Sequence, residues 1–293
     1  MSGFIGFSQK RNGVVNQFTS QGIDDNADAT AITIASDESV TLSGDLVPST
    51  PLSHRNMIIN GGMQVWQRAT TTTTATSSFD TVDRWSTNNG TGGAYTTEKH
   101  SMSLAEINTT GHATALQVDC TTIDSSIGAS QYANVFTRIE AQDCQHLQYG
   151  SASAKTLTLS FWVKSNKTGT YTIYLAKDDA TAYYYQREYT ISSADTWEQK
   201  TITITPTAGS TSLITGSGGI IANDNGRGLT LGFNFAFGST FHGSNDTWSA
   251  SASYATSNQV NWMDSTSNNF YLTGVQLELG SNATPFEHRS YGD

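Results

Sequence analysis

A two-residue rhythm of apolar side chains most limits how this chain can fold. Leu157, Leu159, Phe161 and Val163 alternate with Thr158, Ser160, Trp162 and Lys164. Tyr171, Ile173 and Leu175 alternate with Thr172 and Tyr174, and Ile202 and Ile204 with Thr201, Thr203 and Thr205. Leu229, Leu231, Phe233, Phe235 and Phe237 alternate with Thr230, Gly232, Asn234 and Ala236, and Leu116 and Val118 form a weaker run. Successive strand side chains point to opposite faces, so each run buries one face and leaves the other open. Asn166 and Gly169 between the first two runs predict a turn and an antiparallel hairpin. No window carries a sustained helical stripe. Repeated strands separated by Gly, Asn and Ser turns are the pattern of an all-β antiparallel sandwich or jelly roll.

The run nearest the C-terminus needs one irregularity. Tyr271, Val275, Leu277 and Leu279 share one parity, Gln276 and Glu278 the other, while Phe270 and Leu272 fall on the wrong side. A bulge or close backbone approach at Gly274 is the expected reason, and the segment reads as the closing strand.

Composition narrows the partners. Only 14% of residues are charged, and 15 basic against 25 acidic side chains leave a net charge of −10. Nucleic acid and anionic membranes call for clustered Lys and Arg, so neither is an expected partner. No apolar run reaches the length of a membrane span. The stretch from Met1 to Lys10 lacks a secretory apolar core, which predicts synthesis in a cytosol. Cys120 and Cys144 cannot build a disulfide framework and are expected to be buried thiols.

Residues 1–55 differ from the rest: they hold no Trp or Tyr, and Phe4, Ile5, Phe7, Val14, Val15 and Phe18 are small apolar clusters in a polar background. Thr30 to Ile34 and Val40 to Leu42 predict a short β-hairpin turned at Asp37-Glu38-Ser39, and Pro48 and Pro51 end the segment as a linker. So short a piece cannot bury its own core. It reads as an extended N-terminal arm for docking or oligomerisation, followed by a sandwich domain over 56–293.

Three stretches of that domain carry a resemblance. Asn60-Gly61-Gly62-Met63-Gln64-Val65-Trp66-Gln67-Arg68 opens it, Asp83-Arg84-Trp85 follows, and Thr273-Gly274-Val275-Gln276-Leu277-Glu278-Leu279-Gly280-Ser281 with Ala283-Thr284-Pro285-Phe286-Glu287 closes it. Together they resemble a domain common in tail-fibre and other virion proteins of tailed bacteriophages. The resemblance implies a jelly roll similar to carbohydrate-binding modules. Gly22-Ile23-Asp24-Asp25-Asn26-Ala27 before the hairpin is similar to stem segments of such fibres. The implied protein is a homotrimer assembled into a virion in the host cytoplasm. Its residues 1–55 attach to other virion proteins and its sandwich meets a host cell-surface polysaccharide. A head fibre or capsid decoration protein fits the same residues, as does a polysaccharide depolymerase.

Candidate glycan contacts are aromatic rings beside carboxylates or amides, because ring faces stack on sugars while polar groups take the hydroxyls. Trp162 and Tyr174 point away from the buried face of their runs; packing or a subunit interface is the commoner use of such rings, and a sugar contact the other. Tyr183 and Tyr184 lie in a tyrosine triplet near Lys177-Asp178-Asp179. Asp246, Trp248 and Tyr254 lie in the long polar segment from Phe241 to Asn269, where Trp262 reads as core. No catalytic residues are expected. The six His form no His-Glu-x-x-His pair, no Gly-x-Ser-x-Gly is present, and Cys144 and His146 two apart read as coincidence. No cofactor or metal is expected: Asp178-Asp179 and Asn223-Asp224-Asn225 read as turns rather than calcium loops.

Overall fold

A computed structural model of the chain describes residues 32–34, 40–42, 54–73, 79 and 81–288. The apolar clusters around Phe4 and Val14, the Asp37-Glu38-Ser39 turn and the Pro48 and Pro51 linker lie outside those residues. Contacts divide the chain into two units, residues 1–49 and 50–293. In the first, β1 (Ile32–Ile34) pairs antiparallel with β2 (Val40–Leu42), Ile32 opposite Leu42.

The second unit is a jelly-roll sandwich of two antiparallel six-stranded sheets. Its elements run β3 (Thr71–Thr73), β4 (Trp85–Asn89), β5 (Ala94–Ser101), α1 (Leu104–Thr110), β6 (Thr114–Thr122), β7 (Tyr132–Glu140), β8 (Leu157–Ser165), β9 (Gly169–Lys177), β10 (Tyr183–Ile191), β11 (Glu198–Ile204), β12 (Arg227–Phe237), β13 (Thr247–Ser249) and β14 (Asn269–Leu279). The front sheet has the order β13-β10-β9-β12-β7-β4 and the back sheet β11-β8-β14-β6-β5-β3. The alternating runs fill the space between them. Leu157, Leu159, Phe161 and Val163 of β8 are fully buried, as are Ile173, Leu231 and Phe233 of the front sheet. Phe161 meets Phe233 edge-on at 5.0 Å and Tyr189 at 5.1 Å, joining the two layers. Each such fully buried side chain contributes about 1.5–3 kcal/mol. Cys120 and Cys144 are both free and buried.

The predicted β8–β9 hairpin does not form. β8 pairs with β11 and β14 in the back sheet, β9 with β10 and β12 in the front sheet, so the turn at Asn166 crosses from one layer to the other. Alternation cannot separate the two outcomes, because a hairpin and a crossing both bury one face of each strand.

Two bulges reset parity. In β14 the pairing with β8 shifts between Thr273 and Gln276, and Gly274 takes φ +60°. Phe270 and Leu272 before the shift and Val275 and Leu277 after it therefore all face the core. Tyr271, grouped by parity with the core residues, instead lies on the outer face of the back sheet beside Trp197 at 6.1 Å. In β12 the pairing with β7 shifts between Asn234 and Ala236. Phe235 and Ala236 both join the core, and Phe237 turns outward against the expectation of continuous alternation.

The three stretches that carry the resemblance meet in one place. Gly61 accepts a hydrogen bond from the Val275 amide at 2.9 Å, and a Cβ on Gly61 would lie 2.0 Å from the Val275 carbonyl oxygen. The Asn60 side chain donates to the carbonyls of Val65 and Asp83, each at 3.0 Å. The Asn56 side chain donates to Val275 at 3.1 Å and accepts from the Leu277 amide. Gln276 accepts from the Glu287 amide at 2.8 Å, and Glu278 from the Thr284 amide at 2.9 Å. These residues fasten the entry and exit of the chain to the closing strand, so the recognisable stretches are scaffold.

Candidate functional site

The outer face of the front sheet holds an aromatic cleft. Tyr132, Asn134, Phe136 and Arg138 of β7, Tyr174 of β9 and Thr230 of β12 line it, as does Phe237 once the bulge has turned it outward. Gly232 makes room for Tyr174: a Cβ there would come within 2.1 Å of the tyrosine ring. The Tyr174 hydroxyl accepts from Asn134 Nδ2 at 3.2 Å. Tyr254 arrives from the loop after β13 and stands edge-on to Tyr174 at 4.9 Å and to Tyr184 at 5.2 Å. Its backbone is fixed, the amide donating to Phe241 at 2.8 Å and the carbonyl accepting from Asn234 Nδ2 at 2.7 Å. Phe237 and Phe241 each lie 5.7 Å from the Tyr254 ring. The cleft volume is about 280 Å³.

Polar groups interrupt this apolar lining. The Asp178 carboxylate accepts from the Thr230 hydroxyl. Burial raises its pKa, opposed by that hydrogen bond and by Arg227, Arg138 and Lys177. The Arg138 guanidinium sits 4.9 Å over the Phe136 ring. Burial also pushes the Tyr174 and Tyr254 phenols well above their usual range, so both are neutral donors at physiological pH. Flat rings flanked by an amide, a carboxylate and guanidinium groups are complementary to a ring-shaped, polyhydroxylated ligand.

Of the seven residues singled out from the sequence, the fold gathers three: Tyr174, Tyr184 and Tyr254. Trp248 is 1% exposed, donates its indole N–H to the Thr205 carbonyl at 2.9 Å and packs on Tyr185, so it offers no face to a ligand. Tyr183 turns inward with the core, because the triplet lies on β10, where neighbours point to opposite sides. Asp246 closes the β10 edge, accepting from the Tyr185 hydroxyl at 2.6 Å and pairing with Arg187 at 2.6 Å. Trp162 lies on the other sheet, among Met102, Ala115 and Trp197. Trp262 is core as expected, fully buried between Tyr95 and Phe235.

Sequence reasoning missed β7, which supplies four of the lining side chains. Ala133, Val135 and Ile139 face inward, but Thr137 breaks their rhythm, and Tyr132 and Phe136 put apolar residues on the outer parity. Two aromatics, Tyr132 and Phe136, on the polar parity of one strand were the available signal.

The other flagged features are structural. Cys144 and His146 sit on a 3-10 turn over Ala141–Leu147, the thiol buried and the imidazole exposed. Burial, with the nearby Asp143 and Glu140 carboxylates, pushes the Cys144 thiol up to about 12. Asp179 accepts from the Ala222 amide, tying two loops together, while Asp224 accepts from the Gly226 amide within its own turn. Beneath them the fully buried Lys177 ammonium donates to the carbonyls of Thr181 and Gly218, each at 2.9 Å, and to that of Asp179. Among the described residues no group of three or more His, Cys, Asp or Glu is arranged to hold a metal ion.

No family model matches this sequence, and no curated protein matches it. Solved structures do. A candidate sugar-binding protein from Bacteroides thetaiotaomicron aligns at TM-score 0.44 and 13% identity, covering 77% of this chain and 100% of that one. A family 11 carbohydrate-binding module of a cellulosomal cellulase from Clostridium thermocellum aligns at 0.35 and 15%, covering 72% and 97%. The enzymatically active domain of bacteriophage CBA120 tailspike protein 4 aligns at 0.34 and 12%, covering 76% of this chain and 21% of that one. Likeness at such identities concerns the fold alone.

Proposed function

We propose that this chain is a virion attachment protein of a tailed bacteriophage that holds a cell-surface polysaccharide in the front cleft. The observation that carries the reading is the cleft itself: Tyr174, Tyr254 and Phe136 converge with Asn134, Asp178 and Arg138 in one hollow on the front sheet. The half-buried Tyr254 ring, backed by the buried Tyr174 and Phe136, offers a face to the C–H groups of a pyranose, and the polar groups take its hydroxyls. The virion assignment is supported by the three sequence stretches described above and by an N-terminal arm too short for a core of its own. In this reading residues 1–55 join other virion proteins and bring three copies together in the host cytoplasm.

The role is binding rather than hydrolysis. Glycoside cleavage uses two carboxylates across the scissile bond. Among the described residues lining the cleft, Asp178 is the one carboxylate, and nearby Glu140 is engaged by Arg84 at 2.7 Å. A glycan array probed with the purified chain and with Tyr254→Ala tests the reading. Binding lost in the variant supports it. No binding by the wild type, together with density on the capsid shell, makes the chain a decoration protein, and release of reducing sugar makes it a depolymerase. If a chain lacking residues 1–55 still joins the particle, the docking role of the arm is wrong.

A further inference from the structure

We infer that the polysaccharide held in the front cleft is acidic, and that Arg138 and Arg227 receive its carboxylate or sulfate group. The inference rests on the glycan reading above and adds the charge class of the ligand. The chain carries a net charge of −10, yet the cleft sets two guanidinium groups against the single carboxylate of Asp178. On the same sheet Arg187 is paired with Asp246 at 2.6 Å, and at its edge Arg84 with Glu140 at 2.7 Å. Neither Arg138 nor Arg227 forms an ion pair among the described residues.

Arg138 is held in place by the Phe136 ring, and its Nε is buried with no hydrogen-bond partner in the protein. Its pKa is lowered, first by burial and then by repulsion from Arg227, with only partial relief from Asp178. Arg227 stands exposed at the start of β12. Two repelling guanidinium groups beside one carboxylate form a site that an anion completes. Their planar forks match the paired oxygens of a carboxylate or sulfate. A neutral sugar needs no such surplus, since Asp178 and one arginine already supply both donor and acceptor. The pair also lines a neighbouring hollow of about 480 Å³, so a polymer occupying both hollows would pass it.

The test measures binding of the full chain to polymannuronate, polygalacturonate and a sulfated galactan, each beside its carboxyl-reduced or desulfated counterpart. At least one anionic polymer is expected to bind tenfold or more tightly than its neutral form, and the polymer that does so tells carboxylate from sulfate. Arg227→Gln, at an exposed position, should lose at least tenfold on that polymer and leave the neutral form unchanged. Arg138→Gln should also lose at least tenfold on that polymer, with its melting curve as the folding control. Equal binding of charged and neutral polymers, or an Arg227→Gln variant as tight as wild type, overturns the acidic assignment and leaves the glycan reading standing. Binding to neither form of any polymer, and to nothing on the glycan array, ends both.

Discussion

The two outer faces of the sandwich start from similar residues and end differently. The front face carries Phe136, Tyr174 and Tyr254, the back face Trp162, Trp197 and Tyr271. On the back face α1 lays Ile107 against the rings. The helix is set by a Ser103–Glu106 capping box and stopped at Gly111, φ +77°. Glu106 then reaches over the patch, accepting from Lys164 at 2.7 Å and from the Trp197 indole at 3.0 Å. Lys164 in turn sits 4.2 Å over the Tyr271 ring. Lys164 and His100 both meet Glu106 there. On the front face no helix intervenes: the Tyr254 ring and the Arg138 guanidinium pack against Tyr174 and Phe136 instead, and neither Arg138 nor Arg227 forms a salt bridge among the described residues. An aromatic on the polar parity of a strand thus says only that something covers it. Whether that is the chain itself or a ligand is decided by the next element.

Truncating a covered ring should cost most. Trp197→Ala removes the centre of the back cluster, and a loss of about 3 kcal/mol is expected, read as a lower melting temperature with glycan binding retained. Loss of binding without loss of stability would invert the comparison. Glu106→Gln comes next, at about 2 kcal/mol, since it strips the charged acceptor from Lys164 and Trp197. Burial raises the pKa of this carboxyl, but the hydrogen bonds from Lys164, Ser103 and Trp197 outweigh it and hold the group well below the usual range. A carboxyl depressed in the folded state stabilises above its unfolded pKa of about 4.3 and loses that contribution as pH falls through and below it. The stability gap between wild type and Glu106→Gln should therefore be full at pH 6 and narrow towards pH 3. A gap that does not change with pH would show that the charge of Glu106 is not what closes this face.

Gly232→Ala tests how the open face is built. Its methyl would enter the Tyr174 ring, with an expected cost of about 1–2 kcal/mol as the ring is displaced, and glycan binding should weaken with it. Unchanged binding would mean that Tyr174 does not contribute to the site. Tyr254→Ala should change stability least, by about 1 kcal/mol, because the half-buried ring is fixed by its backbone and covers a hollow rather than filling a core. Its effect is expected in binding, a loss of tenfold or more in titration calorimetry. A large stability loss with binding intact would make the front face a second closed patch.

Much of this was legible residue by residue. The runs at 157–163 and 229–235 gave the inward faces of β8 and most of β12. Gly274 marked the bulge that reconciles Phe270 and Leu272 with Val275 and Leu277. Tyr174 was correctly placed on an outer face, and Tyr254 in a loop that could reach one. Other readings failed where a local pattern has two spatial solutions. The tyrosine triplet splits, Tyr184 outward and Tyr183 inward, because β10 lies in a sheet and not in a loop. Asp246 and Trp248 are near neighbours of Tyr254 in sequence, yet one seals an edge and the other fills the core.

Alternation of apolar and polar side chains is a property of the chain, because strand geometry sends neighbours to opposite sides whatever lies beyond. It was enough to specify an antiparallel sandwich and most of its interior. Which sheet a strand joins, which way Phe237 faces, and which aromatics come to line a cleft depend on contacts between residues far apart in sequence. The cleft exists because a bulge at Asn234–Ala236, a missing side chain at Gly232 and a loop carrying Tyr254 meet over β7, and only packing in three dimensions brings them together.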